Sequence, residues 1–222
     1  MLGRKKRSGR SRNGPCEQAA GAGVLKDLNI LLGITGGIAA YKAVDLAGKL
    51  TAAGAGVRTV MTASACQLVG PKSFEAVTGA PVFTSLWTEP GPPTRNAALG
   101  TPTQGYQMSH IALADWAQIV VIAPATANII AKAAHGICDD LLSTVLCTCW
   151  AAPTLYAPAM NTRMWENPAT QHNIETLRAR GVQMVGPCAG RLACGTEGLG
   201  RMAEPQEILA AIEEMAGNRP KA

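Results

Sequence analysis

The run Leu28-Asn29-Ile30-Leu31-Leu32-Gly33-Ile34 passes directly into Thr35-Gly36-Gly37 and then into a helical pattern from Ile38 to about Ala53. That succession narrows the possible folds more than any other feature. A strand with one wet face alternates apolar and polar residues, whereas this one is apolar almost throughout, so both its faces must be covered. Similar runs recur at Val57–Met61, Val120–Ala123, Thr154–Ala157 and Val182–Val185. Helical segments lie between them, one around Asn173–Arg180. A last helix follows Ala203-Glu204-Pro205, where a proline and acids suit a helix N-terminus. Alternating strands and helices predict a parallel sheet with right-handed crossovers. The fold class is therefore α/β: one three-layer α/β/α domain, Rossmann-like (flavodoxin-like) in its parallel sheet.

Charge separates this body from what precedes it. Residues 1–27 carry seven Lys/Arg against two Asp/Glu, and residues 28–222 are balanced at thirteen of each, so the whole net charge of +5 lies in the first segment. With Arg4, Lys5, Lys6, Arg7, Arg10 and Arg12 and almost no apolar residues, residues 1–27 read as a disordered basic tail. No aromatic residues interleave with those charges, and the neutral body lends no support to a nucleic-acid function. The domain is expected over 28–216, with a short tail at 217–222. No stretch reaches the roughly 18 uninterrupted apolar residues of a membrane span. The start lacks a secretory apolar core, so a cytoplasmic protein is expected. Seven cysteines without paired C-x-x-C units read as mostly free thiols in a reducing compartment. Cys138, Cys147 and Cys149 lie near apolar helix residues and read as packing cysteines. A Cys188–Cys194 disulfide is disfavoured in such a compartment.

Three turns follow strands at one sheet edge. They are Thr35-Gly36-Gly37-Ile38, Thr62-Ala63-Ser64-Ala65 and Pro124-Ala125-Thr126-Ala127-Asn128. Open parallel sheets bind ligands at the carboxyl ends of their strands, and a glycine turn opening a helix can cradle a phosphate. The first turn is not G-x-G-x-x-G, so the dinucleotide fingerprint is absent. Tight strand-to-helix turns also need glycine without any ligand, and only the three turns together point to a phosphorylated one. A segment at 88–107, with Pro90, Pro92, Pro93 and Pro102, breaks the pattern and reads as a loop insertion beside the site.

Just after it, His110 stands in Met108-Ser109-His110-Ile111, where a proton shuttle and a surface or capping role fit equally well. His135 and His172 read as structural or exposed, and three separated histidines make no zinc site. Asn161, in Ala157-Pro158-Ala159-Met160-Asn161-Thr162-Arg163-Met164-Trp165, fits either an amide donor to a carboxylate or a helix cap. The window Gly190 to Arg201 sets Cys194 among four glycines and two arginines. It reads either as a substrate flap, spanning 187–205, or as a glycine-rich surface turn.

Taken together, the Pro158-Ala159-Met160-Asn161-x-x-Met164-Trp165 block and the Leu192-Ala193-Cys194-Gly195 flap, ending in Met202-Ala203-Glu204-Pro205, resemble the flavin-containing cysteine decarboxylases. Within them the chain is similar to the phosphopantothenoylcysteine decarboxylases, from about Leu28 to Ile212. The resemblance implies FMN, held by Gly36, Gly37, Ile38, Ser64, Thr126, Ala127 and Asn128. It implies His110, Asn161 and Cys194 as catalytic residues, and Asn161, Met164, Arg191 and Ala193 as substrate contacts. It also implies a homotrimer, or a dodecamer of trimers, acting on 4′-phosphopantothenoylcysteine. Gly37 departs from the family, which often has serine there.

The implied chemistry explains the residue types. An amino-acid carboxylate lacks an electron sink, so oxidation of the substrate thiol to a thioaldehyde must precede loss of CO2 as an enethiol. Cys194 is the expected proton donor when the enethiol is reduced. Two other readings come with the resemblance. Peptidyl-cysteine decarboxylases of modified-peptide pathways stop at the enethiol and need no flap cysteine. Other members are non-catalytic, flavin-binding regulatory subunits of a phosphatase.

Overall fold

A computed structural model describes residues 23–87, 109–191, 193, 195 and 197–219. The first part of the basic tail and the 88–107 insertion lie outside the described residues.

The chain runs β1 (Asn29–Ile34), α1 (Ala40–Ala52), β2 (Gly56–Met61), α2 (Ala63–Cys66), α3 (Pro71–Thr78) and β3 (Val82–Phe83). It continues with α4 (Ser109–Trp116), β4 (Ile119–Ala125), α5 (Ala127–His135), α6 (Leu141–Thr148), β5 (Thr154–Pro158) and α7 (Thr162–Trp165). The last third holds α8 (Pro168–Ala179), β6 (Gln183–Met184), β7 (Cys188–Arg191), β8 (Glu197–Arg201) and α9 (Pro205–Gly217). Six strands form one parallel sheet in the order β3-β2-β1-β4-β5-β6. Of the two doubly wound orders this is the Rossmann one, and its direction reverses between β1 and β4.

The unbroken apolar runs now have their reason. Successive residues of β1 point to opposite faces, so Ile30, Leu32 and Ile34 enter one core while Leu31 enters the other. In β4, Val121 and Ala123 join the first core, and Val120 and Ile122 the second. The first core is closed by α1, α3 and α9 through Leu46, Leu50, Phe74, Ile208 and Ile212. The second is closed by α4, α5, α6 and α8 through Leu113, Ile130, Leu142, Val145 and Ile174. Gly33 interrupts β1 for a steric reason. A Cβ there would stand 2.5 Å from Ile122 Cδ1 and 2.7 Å from Leu142 Cδ1.

Three features differ from the expectation drawn from the sequence. Leu25, inside the segment read as a tail, is fully buried in the first core. It belongs to a short clip in which Asp27 N–H donates to Gly54 O at 3.1 Å and Gly56 N–H to Leu28 O at 2.8 Å. The glycine-rich window, read as a flap, forms an antiparallel pair separate from the main sheet, with Arg191 opposite Glu197 and Gly190 opposite Gly198. The strand expected over Val182–Val185 shrinks to the two-residue β6 at the sheet edge.

Candidate active site

A cavity of about 770 Å³ opens at the carboxyl edge of the sheet, beside the β1/β4 reversal. Its first wall is the β1–α1 turn, Gly36 to Ala39, with Tyr41 and Lys42 from the first turn of α1 and Thr126 after β4. This wall is tied together by one buried hydroxyl. Thr35 Oγ1 donates to Pro124 O at 2.6 Å and accepts from Thr126 N–H at 3.2 Å, with the residue 2% exposed. The link falls where the β4–β5 ladder slips between Ile122 and Ala125, so the hydroxyl holds a stretch that lacks regular pairing. Gly36 is required for packing, since a Cβ there would overlap the Ser64 side chain. At Gly37 a Cβ would stand 3.4 Å from Pro124 Cγ and 3.5 Å from Thr126 Cγ2, ordinary contact that would fill the crevice.

The middle wall follows β5. Ala159, Met160, Asn161 and Met164 line it. Asn161 proves to be both a helix cap and a cavity residue: its Oδ1 accepts from Arg163 N–H at 2.9 Å, capping α7. Its Nδ2 amide is a donor of the kind suited to a carboxylate.

The third wall is the β7–β8 hairpin, through Arg191, Ala193, Gly200, Arg201 and Met202. Backbone approaches the middle wall closely here. Met160 N–H donates to Gly200 O at 2.9 Å. A Cβ on Gly200 (φ +148°) would overlap the Met160 carbonyl, and one on Gly198 would stand 2.5 Å from Thr162 Oγ1. The base of the hairpin is fastened by charge. Glu204 accepts from Lys42 Nζ at 2.8 and 2.9 Å and pairs with the Arg201 guanidinium. Lys42, then Arg201, hold the Glu204 carboxyl below its usual range. Glu204 also caps α9, its own N–H donating to Glu207 Oε2 at 2.7 Å. Lys42, Arg191 and Arg201 make the cavity cationic, as an anionic ligand requires.

The structure thus brings Gly36, Gly37, Ile38, Thr126, Asn161, Met164, Arg191 and Ala193 to one cavity. Ser64 abuts Gly36 just behind it, and Ala127 and Asn128 open α5 beside Thr126. His110 is not among the lining residues. It is the second residue of α4, which closes the second core and packs on α6, whereas the cavity lies at the start of α1 on the other side. Cys194 lies outside the described residues. Tyr41 and Lys42 line the cavity without having been singled out from sequence, whereas Arg201 and Met202, which also line it, were named there only as parts of motifs. For the first two a signal existed, since they follow Ile38 at helical spacing. Among the described residues, no group of three or more His, Cys, Asp or Glu is placed to hold a metal. Nor is any helix long and apolar enough to cross a membrane.

A Rossmann-order sheet with a glycine turn and a cationic cavity at its reversal point defines a cofactor-binding α/β protein of the nucleotide-handling class. The chain belongs to the Flavoprotein family, whose model matches residues 21–217. It is 42% identical over 191 residues to the "Coenzyme A biosynthesis bifunctional protein CoaBC" of Bacillus subtilis (strain 168), covering 86% of this chain and 44% of that one. The protein of the same name from Vibrio vulnificus (strain YJ016) is 46% identical over 192 residues, covering 86% and 44%. The chain therefore spans less than half the length of these curated relatives. Among solved structures, a PPC decarboxylase mutant complexed with pantothenoylaminoethenethiol superposes with a TM-score of 0.72 at 32% identity, covering 87% of this chain and 100% of that one. The FMN-dependent cysteine decarboxylase SpaF follows at 0.70 and 34% identity, covering 87% and 99%.

Proposed function

We propose that this chain decarboxylates 4′-phosphopantothenoylcysteine to 4′-phosphopantetheine, with FMN as its cofactor, as one step of coenzyme A biosynthesis. The observation that carries the reading is the three-walled cavity, with Asn161 between the glycine turn and the cationic hairpin. The likeness to a PPC decarboxylase over that protein's full length supports it. The residues present fit FMN. The β1–α1 turn carries no side chain at Gly37, and α1 opens without a side-chain cap, at a helix end whose dipole suits a phosphate.

When bound, FMN supplies the electron sink that the substrate lacks. The protein's part is to bind, orient and move protons. Asn161 Nδ2 donates to the substrate carboxylate and fixes it over the reacting centre, which lowers the entropic part of the barrier. Met160 and Met164 cover the substrate's apolar atoms, with Ala193 beside them. Arg191 pairs with its phosphate. Cys194 Sγ–H gives a proton to carbon as the enethiol is reduced. His110 serves the reacting end as acid, base or orienting group.

Because His110 stands apart from the cavity of its own chain, we assign its role to the cavity of a second copy, in a homotrimer or a dodecamer of trimers. Ile38 and Tyr41, each 63% exposed at the cavity, offer apolar surface for that contact. We place the protein in the cytoplasm, a reading supported by the unpaired Cys66, Cys138, Cys147, Cys149 and Cys188.

The purified chain should show a flavin absorbance spectrum and release CO2 from 4′-phosphopantothenoylcysteine, leaving 4′-phosphopantetheine. A colourless protein that FMN does not reconstitute would sink the reading. Cys194→Ser should still release CO2 but fail to yield the thiol. Mixing inactive His110→Asn and Asn161→Asp chains should restore part of the activity, and no recovery would remove the second copy from the site. The likeness to SpaF, an FMN-dependent cysteine decarboxylase, leaves a second reading, a peptidyl-cysteine decarboxylase of a modified-peptide pathway. Turnover of a peptidyl-cysteine substrate with none of the phosphorylated substrate would establish it instead.

A further inference from the structure

A second, smaller cavity of about 180 Å³ lies among the ends of α5 and α8, the body of α6 and the start of β5. Helices α5 and α8 end, and β5 begins, at the sheet edge opposite the active-site cavity, and the two cavities share no lining residue. Nothing in the chemistry proposed above uses this second one. Leu146, Leu177 and Val182 give it apolar walls, and the exposed Trp150 and Arg180 stand at its opening.

One buried group is out of keeping with a mere packing gap. Tyr156, in the middle of β5, is only 1% exposed and lines this cavity. Its ring packs in the second core, but its hydroxyl has no hydrogen-bond partner among the described residues. A buried tyrosine hydroxyl ordinarily finds one, because an unpaired group forfeits the bond it made in water. Burial pushes the phenol up, which keeps its proton on and makes it a donor in search of an acceptor.

The charges that line the cavity are positive, and one of them is uncommitted. Lys132 is neutralised by Asp139 at 2.6 Å and Asp140 at 2.9 Å, neither of which is part of the lining. Arg180 donates to Ala133 O at 3.3 Å and has no carboxylate partner among the described residues. The cavity therefore joins apolar walls to an O–H donor and a guanidinium, both of which a carboxylate can accept from. Its size suits one ring, since an apolar cavity of about 150 Å³ already holds benzene.

We propose that this cavity binds a small carboxylic acid with a compact apolar body, of the one-ring aromatic type, whose carboxylate accepts from the Tyr156 hydroxyl and pairs with Arg180. In a space of this size a single such molecule reaches from the apolar walls to both polar groups.

The test titrates benzoate into the full-length, FMN-loaded protein by calorimetry, with benzamide as the neutral counterpart. Benzoate should bind with a dissociation constant of about 1 mM or below, and benzamide roughly tenfold more weakly. Tyr156→Phe keeps the ring in the core and removes only the unpaired hydroxyl, so benzoate should weaken about tenfold while the thermal midpoint holds. Arg180→Gln should erase the preference for benzoate over benzamide. Absence of benzoate binding would overturn the proposal and leave the cavity to solvent. Binding that either variant leaves unchanged would also overturn it, because benzoate would then sit elsewhere, as in the cationic active-site cavity. None of these outcomes depends on the substrate assigned to the active site.

Discussion

The cavity's first and third walls are built on different principles. The β1–α1 turn and Thr126 stand on the two central strands, over a core closed on both faces, and are tied by the buried Thr35 hydroxyl. The β7–β8 hairpin is a separate two-stranded unit. It is held by backbone contact with Met160, by Met202 and Ala203 buried behind it, and by the shared carboxylate of Glu204. A cofactor site benefits from the first construction, because a pre-formed cradle costs little to order on binding. A substrate site benefits from the second, because a wall on few attachments can adjust without disturbing the core. The middle wall, with Asn161, is the seam between them.

Substitutions can separate the two. The largest effect is expected from Gly200→Ala, whose Cβ would overlap the Met160 carbonyl and lift the hairpin from the seam. Turnover should fall roughly a hundredfold, the scale of a 1 Å misplacement, with flavin binding and the thermal midpoint nearly unchanged. A large loss of flavin would mean that the walls are not independent. Thr35→Val attacks the other wall by leaving the Pro124 carbonyl and the Thr126 N–H without their partner. It should cost about 1–3 kcal/mol of unfolding free energy in denaturant titration, and loosen flavin before it affects substrate. Glu204→Gln removes the charge that Lys42 and Arg201 share. KM should rise several-fold, on the order of 1 kcal/mol, with kcat little changed, and a pure kcat effect would contradict the latch.

The smallest effect is a pH dependence of the same latch. Because the carboxyl of Glu204 is held below its ordinary range, its contribution is complete above that range, about 4.3. It is lost as pH falls through the lower folded value. Amide-exchange protection of β7 and β8 should therefore be level from neutral pH to about pH 5 and drop only below the ordinary glutamate range. In Glu204→Gln that drop should vanish.

The same contrast explains what could be read from the sequence. The strands β1, β2, β4 and β5 were legible because burial on both faces demands continuous apolar runs, and the glycine turn because a strand must end before its helix starts. The hairpin was not. Its residues Glu197-Gly198-Leu199-Gly200-Arg201 have no apolar alternation, since the strand packs by backbone against the segment after β5. Lys42 escaped notice, and Arg201 was read only as part of the glycine-rich window, because their role rests on a carboxylate from a third element. Cys138 and Cys147 read as packing residues because α6 is apolar overall. Its buried stripe is Leu141, Leu142 and Val145, which turns Cys147 outward. His110 stood out for its chemistry, but chemistry alone does not tell which cavity a side chain serves.

Leu25 sets a practical limit on how the molecule can be trimmed. Its side chain is fully buried in the first core, and the clip around it carries the turn between α1 and β2. An expression fragment beginning at residue 23 would keep that plug. One beginning at Leu28, where the strand pattern first becomes visible, would leave a leucine-sized void worth about 2–5 kcal/mol. Loss of fold in the shorter fragment would then report on a missing wedge and say nothing about the basic residues upstream.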